Sequence, residues 1–130
     1  MAKKNIFKCV HSILINSIFK YDGKWSSYID DNVTAHSYHS KYCRANIFVK
    51  RIISPVESTY EILINFFSKE FYIPDMPEAT MIIRYSTLSG TVNSSSIDLT
   101  SEKRYYEIIR KIEDNLRETY RIINTSSNGQ

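Results

Sequence analysis

The chain has 130 residues, of which 42% are hydrophobic, 24% charged and 13% aromatic, and it contains only three glycines and three prolines. This composition excludes collagen-like and low-complexity disordered chains, and the length is sufficient for one hydrophobic core without disulfides or metals. Seventeen basic and fourteen acidic side chains leave a net charge of +3, which is too small to indicate a dedicated nucleic-acid-binding protein. We therefore expect one α+β domain over residues 1–130.

Isoleucine is unusually frequent, with 19 occurrences against five of leucine. A bias of this kind is typical of AT-rich coding sequences, which are common in some bacteria, phages and mobile elements. Its physical consequence is a general preference for strands, because a β-branched side chain loses rotamer freedom in a helix. Helix predictions in this chain therefore depend on periodicity and capping residues.

The first predicted element is a helix over residues 4–20. Ile6, Val10, Ile13 and Leu14 recur at three- and four-residue spacing, as the buried face of an amphipathic helix does. Gly23 can adopt a positive φ and is predicted to end this segment.

Two strands are expected next, near residues 25–37 and over residues 43–52. In the second, Cys43, Ala45, Ile47 and Val49 alternate with more polar residues, which is typical of a half-buried strand. Four- and three-residue spacings are also present between residues 38 and 52, so a helix remains an alternative there.

A second helix is predicted over residues 55–71. Ser54, Pro55 and Glu57 have the spacing of a capping box with proline at the first helical position. An apolar stripe at helical spacing follows, and Pro74 lies shortly after the predicted end.

The last elements are two short strands, residues 80–86 and 91–99, joined through Leu88-Ser89-Gly90, and a third helix over residues 101–123. Residues 124–130 are expected to fray. The predicted architecture is thus α+β, with about three helices packed on a small antiparallel sheet.

Cysteine usage and the N-terminus predict a cytoplasmic protein. Cys9 and Cys43 have no paired spacing and are best interpreted as small apolar residues in a reducing compartment. Lys8, His11 and Asn16 interrupt the first apolar segment, which is too polar for a signal peptide or a membrane span.

The basic charge is concentrated between residues 32 and 56, where no acidic residue occurs. Cations and aromatic residues alternate in this segment, which would offer phosphate contacts beside rings on which bases stack, or a surface for an acidic protein. The predicted partner-binding residues are Tyr38, Lys41, Tyr42, Arg44, Lys50 and Arg51.

Two chemical alternatives involve the same segment. His36 and His39, next to cations, have the residue types of a metal-independent, toxin-like ribonuclease, although positions three apart on a strand point to opposite faces. His36, His39 and Cys43, with Cys9 and His11, also offer zinc ligands, but their spacing matches no familiar zinc motif.

The leading functional prediction is a small non-enzymatic binding protein, an accessory or inhibitor protein of the phage or mobile-element type, that occupies a macromolecular partner. No cofactor, no metal and no membrane contact is expected, and the partner is left open between protein and nucleic acid. A self-associating structural domain is a further alternative. Phe66, Phe67 and Phe71 cannot all lie on the single core-facing stripe of the second predicted helix, so part of this aromatic surface would be left for a second copy.

Overall fold

The computed structural model of the protein describes residues 5–25, 32–53, 55–56, 58–69, 76–100 and 105–124. Within these ranges the chain forms two helices and one seven-stranded sheet. In chain order the elements are α1 (Ile6–Ser17), β1 (Lys20–Trp25), β2 (Val33–His39), β3 (Cys43–Ile53), β4 (Ser58–Ser68), β5 (Ala79–Ser86), β6 (Thr91–Asp98), α2 (Tyr106–Thr119) and β7 (Arg121–Asn124).

The seven strands lie side by side in the order in which they occur in the chain. Neighbours from β1 to β6 are antiparallel, whereas β7 runs parallel to β6. The parallel pair needs a crossover connection, which α2 provides. At the β5–β6 turn, Gly90 has φ of +70° and donates its N–H to the Ser86 carbonyl at 2.9 Å, a backbone conformation that favours glycine.

Both helices pack on the same side of the sheet, which we call the core face; the opposite side is the outer face. Each helix contributes three buried side chains to the core. They are Ile6, Val10 and Leu14 of α1 and Ile109, Ile112 and Leu116 of α2. Side chains alternate between the two faces along each strand. The buried hydrophobic strand residues of the core face are Tyr38, Cys43, Ala45, Ile47, Ile62, Ile64, Phe66, Ala79, Met81, Ile83 and Val92.

The first predicted helix is correct in type but too long at both ends. The Asn5 side chain caps α1 by accepting hydrogen bonds from the N–H groups of Phe7 and Lys8, and the helix ends at Ser17. The prediction that Gly23 ends the helix is wrong. Gly23 lies in β1 with φ of +128°, beside a break in the β1–β2 register. Its positive φ supports a β-bulge.

The predicted helix over residues 55–71 is wrong. Residues 58–68 form β4, the central strand of the sheet. Ile62, Ile64 and Phe66 face the core, while Leu63 lies on the outer face. A strand with apolar residues on both faces produces a nearly continuous apolar run, whose spacing also matches a helical stripe.

The predicted helix over residues 101–123 is partly correct. The structure places α2 at Tyr106–Thr119, and Tyr120 is extended before β7 begins. Residues 101–104 lie outside the described residues, as does the predicted frayed tail apart from Asn124, which ends β7.

The predicted architecture of three helices on a small sheet is therefore wrong, because two helices cover a seven-stranded sheet. The predicted strands 43–52, 80–86 and 91–99 correspond closely to β3, β5 and β6. The prediction of one strand near 25–37 is wrong, because this range contains the end of β1 and most of β2. Residues 26–31 lie outside the described ranges. Neither described helix has the length and apolar character needed to cross a membrane.

Candidate functional site

The six residues predicted to bind a partner do not form one surface. Tyr38 is 1% exposed and belongs to the core, whereas Lys41 and Tyr42 lie in the turn between β2 and β3. The cations of β3 divide between the two faces: Arg44 and Lys50 lie on the outer face, and Arg51 lies on the core face. The contiguous sequence segment is thus distributed over three places by strand alternation.

Lys50 and Arg51 show this division most clearly. Lys50 pairs across the sheet with Glu61 of β4, and Arg51 pairs with Tyr60, so the two cations point in opposite directions. The guanidinium carbon of Arg51 is 5.8 Å from the centroid of the Tyr60 ring, a cation–π distance. These two adjacent cations therefore serve different surfaces.

An aromatic pair occupies the outer face beside Lys50. Trp25 of β1 and Phe48 of β3 are both cross-strand neighbours of Ala35 on β2. Their rings meet edge to face with centroids 5.5 Å apart, and Ala35 beneath them is fully buried. The small alanine side chain allows the rings of β1 and β3 to meet across the strand between them.

Strand register extends this pair into a row. Phe48 lies opposite Leu63 of β4, and Leu63 lies opposite Ile82 of β5. The side chains of Trp25, Phe48, Leu63 and Ile82 are all half-buried. The outer face thus carries an apolar row across five strands, which we call the apolar row.

A charged row runs along one side of the apolar row. Lys50, Glu61 and Arg84 are cross-strand neighbours in that order. The Arg84 Nε donates to the Glu61 carboxylate at 2.8 Å, with Arg84 well exposed. The described outer-face cations are Lys20, Arg44, Lys50, Arg84 and Arg121, against the carboxylates Asp22 and Glu61.

A polar row runs along the other side. Asn46, Asn65 and Thr80 are successive cross-strand neighbours, and the Thr80 hydroxyl donates to the Asn65 side-chain oxygen at 3.1 Å. Amide and hydroxyl groups supply both donors and acceptors. The outer face therefore combines hydrogen-bonding groups, a half-buried aromatic pair and cations in three adjacent rows.

The β2–β3 turn, which directly precedes Arg44 in the chain, carries a cation and an exposed aromatic ring. The buried Ser40 side chain accepts hydrogen bonds from the N–H groups of Tyr42 and Cys43, which holds the turn in shape. Tyr42 is 63% exposed, and the Lys41 ammonium lies 5.8 Å from its ring centroid. Lys69 donates to the Ser40 carbonyl at 3.2 Å.

Histidine and tyrosine side chains form a cluster where α1 meets β1 and β2. Nδ1 of His11 and the Tyr38 hydroxyl are 2.7 Å apart, and the Tyr21 hydroxyl and Nδ1 of His36 are 3.0 Å apart. Phe7 stacks on the His36 ring with centroids 4.2 Å apart. We call these five residues the His–Tyr cluster.

Two groups of this cluster have a shifted pKa, and in both the shift favours the neutral form. Burial first, and then the charges of Lys24 and His11, lower the pKa of His36 below its ordinary value of 6.5. Burial, with a smaller contribution from Tyr21, raises the pKa of the Tyr38 hydroxyl above its ordinary value. Each of these two groups also has a hydrogen-bond partner, as buried polar groups require.

The structure does not bring His36 and His39 together. His36 lies on the core face, whereas His39 lies on the outer face, with its Nδ1 2.5 Å from the Asp22 carboxylate. An acid and a base that act on one substrate must both reach it. This separation gives no support to a ribonuclease site built from the two imidazoles.

The proposed zinc ligands are likewise dispersed. Cys43 is buried beside Ser40 at the β2–β3 turn, and both cysteines are free thiols. Within the described ranges, no group of three or more histidine, cysteine or acidic side chains is arranged to hold a metal ion.

A cavity of about 290 Å³ lies between the N-terminal turn of α1 and the core face of β2 to β5. It is separate from the outer face, since its sheet residues point towards the helices. Its lining residues are Asn5, Ile6, Phe7, Thr34, Val49, Tyr60 and Tyr85.

Sequence reasoning finds neither Trp25 nor Arg84 as a site residue, and it places Phe48 among the aromatic residues of the basic segment but not among the predicted contact residues. The alternation of Arg44, Phe48 and Lys50 at even positions of the predicted strand 43–52 is a signal that places Phe48 beside the cations. The contribution of Trp25 and Arg84 depends on strand pairing, for which the sequence carries no local signal.

Comparison with known proteins identifies no relative of this chain. No protein-family model matches it, and neither the curated proteins nor the solved structures contain a significant match.

Proposed function

We propose that the protein is a non-enzymatic binding protein that holds single-stranded nucleic acid on the outer face of its sheet. The observation that carries this proposal is the set of three rows, in which an aromatic pair lies between amide groups and cations. Proteins that bind single strands combine the same elements: rings on which bases stack and a basic surface that follows the backbone.

Each row has a distinct role in this proposal. Bases stack on Phe48 and Trp25, where each stacked base contributes roughly 1–3 kcal/mol. Lys50 and Arg84 on one side, and Arg44 towards the β2–β3 turn, bind phosphates. Asn46 and Asn65 hydrogen-bond to base edges.

Charge favours this partner over an apolar protein surface. The described outer face has more cations than carboxylates, and Glu61 is already paired with Arg84. A polyanion complements such a face, and its affinity falls as salt rises. The opposite placement of the two histidines supports binding rather than cleavage.

The same proposal includes a cellular role as an accessory or inhibitor protein. A protein that coats single-stranded nucleic acid in the cytoplasm, where both of its thiols stay reduced, would act as an accessory protein or as an inhibitor of other proteins that need the same strand.

The chain's single tryptophan makes the proposal directly testable, because Trp25 lies in the proposed binding row. Titration with oligo(dT) or oligo(U) is expected to quench Trp25 fluorescence and to raise the anisotropy of a labelled oligonucleotide. Polyglutamate, a polyanion without bases, is expected to compete only weakly.

Lys50→Gln and Arg51→Gln form a matched pair for this experiment, because each removes one positive charge and the two residues point to opposite faces. Lys50→Gln is expected to weaken oligonucleotide binding about tenfold, whereas Arg51→Gln leaves it unchanged. Absence of binding at low salt, or equal effects of the two substitutions, would refute the proposal. Tighter binding of polyglutamate than of oligonucleotide would favour an acidic protein partner instead.

A further inference from the structure

The cavity between α1 and the sheet has the access and size of a small-molecule site. Asn5 is exposed and Phe7, Thr34, Tyr60 and Tyr85 are half-buried, so the cavity opens to solvent. Its volume of about 290 Å³ lies just below the usual range for ligand pockets, roughly 300 to 1,000 Å³. Its occupant is therefore a compact molecule.

The residues that line the cavity favour an aromatic ligand. Three rings, those of Phe7, Tyr60 and Tyr85, surround the space, and Tyr60 and Tyr85 stack with centroids 6.3 Å apart. Aliphatic contact comes from Ile6 and Val49. Offset and edge-to-face contacts with such rings favour a flat aromatic ligand over a branched aliphatic one.

Polar groups at the cavity are few and uncharged. Asn5 and Thr34 are the non-aromatic polar residues of the lining, and no acidic or basic side chain is among the described lining residues. A charged group on the ligand would therefore have to remain outside the cavity, where solvent or a protein cation can stabilise it.

Arg51 is the cation in position for that group. It follows Val49 on the same face of β3, two residues further towards the exposed end of the strand, and its guanidinium lies against the Tyr60 ring. Arg51 is exposed, so it can swing from Tyr60 towards a bound anion. A guanidinium pairs with a carboxylate through two parallel hydrogen bonds.

We propose that this cavity binds a small aromatic carboxylate, with its ring between Phe7, Tyr60 and Tyr85 and its carboxylate paired with Arg51. This site is independent of the nucleic-acid surface, since it lies on the other side of the sheet.

The test compares two probes of similar size, benzoate and the uncharged benzyl alcohol, by saturation-transfer NMR and titration on the full chain. Both are expected to bind, and benzoate more tightly. Arg51→Gln is expected to weaken benzoate binding about tenfold and to leave benzyl alcohol unchanged. Lys50→Gln, the matched control, is expected to alter neither.

Val49→Phe tests the location by filling the cavity. It is expected to abolish binding of both probes while circular dichroism shows a folded protein. If this variant does not fold, Thr34→Val, which preserves the shape and removes the hydroxyl, provides a second test and is expected to weaken both probes. Failure of both probes to bind at millimolar concentration would overturn the inference, and so would equal effects of Arg51→Gln and Lys50→Gln on benzoate.

Discussion

At the scale of single residues, Ala35 determines the geometry of the proposed nucleic-acid surface. It is fully buried although it points away from the helices, because Trp25 and Phe48 meet above it. A larger side chain at this position would separate the two rings or force an unfavourable rotamer.

Ala35→Leu is therefore expected to lower the free energy of unfolding by about 1–3 kcal/mol and to weaken oligonucleotide binding. The emission of Trp25 should also shift, as its ring moves towards solvent. Ser37→Leu, at a half-buried position on the same face of β2 but outside the aromatic pair, is the control and should retain the emission of the unmodified protein. Unchanged emission in Ala35→Leu would contradict the described ring contact.

His36 is expected to make stability depend on pH. Its folded-state pKa is lowered below 6.5 by burial and by Lys24 and His11, while Tyr21 and Phe7 contact its ring. The unfolded chain therefore takes up a proton at a higher pH than the folded one. Stability is complete above about pH 6.5 and is lost as the pH falls from there towards the folded-state pKa.

Urea unfolding of the protein and of His36→Phe, measured between about pH 7 and 5 across the ordinary histidine range, isolates the contribution of His36. The phenylalanine preserves the stacked ring, so His36→Phe is expected to lose less stability on acidification than the unmodified chain. Parallel decreases in the two proteins would show that His36 does not contribute.

At the scale of elements, β4 differs from β3, β5 and β6 in how far its sequence predicts its structure. The strands 43–52, 80–86 and 91–99 could be predicted because alternation and turn residues are local signals. In β4, Leu63 and Ile64 fit one helical stripe equally well, and only pairing with β3 and β5 places them on opposite faces. The register between two paired strands has no local sequence signature.

The candidate site shows the same limit. Lys50 and Arg44 were predicted as contact residues and do share a face, whereas Arg51 and Tyr38 were grouped with them only by proximity in sequence. Trp25 and Arg84 join the surface through register, and the cavity exists only once α1 covers the sheet. Neither feature could be derived from residue spacing.

Substitutions at Leu63 and Ile64 distinguish the strand from the predicted helix. Ile64→Ala removes a fully buried side chain between Ile47 and Met81 and is expected to cost about 2–5 kcal/mol of unfolding free energy. Leu63→Ala, at a half-buried position on the outer face, is expected to lower the free energy of unfolding by less and to weaken oligonucleotide binding. Ile64→Ala, as long as it is folded, is expected to leave oligonucleotide binding unchanged. Chemical denaturation and anisotropy measure the two effects, and equal losses of stability would contradict the strand.

At the scale of the whole molecule, the net charge of +3 understates how the cations are distributed. Arg44, Lys50 and Arg84 lie on one side of the sheet, while α2 carries its own cations beside acids, as in the Arg117–Asp114 pair at 3.3 Å. Such a distribution predicts a definite salt dependence for binding to the outer face.

If Arg44, Lys50 and Arg84 each contact one phosphate, the logarithm of the association constant for oligo(U) is expected to fall against the logarithm of salt concentration with a slope of about −2, at about 0.7 per contact. Anisotropy titrations at several NaCl concentrations measure this slope. Lys50→Gln should reduce it by about 0.7, and Lys111→Gln, which removes a cation of α2, should not change it. A slope near zero would exclude phosphate contacts.

The order of the strands also has a consequence for synthesis on the ribosome. Every antiparallel neighbour from β1 to β6 is the next segment to emerge, so each hairpin can form as soon as its second strand is made. Helix α1 emerges before the sheet, yet it packs against α2, whose first residue follows about a hundred positions later. The part of α1 that contacts α2 therefore remains uncovered after the antiparallel strands have formed, and the interior is complete only when α2 has left the exit tunnel.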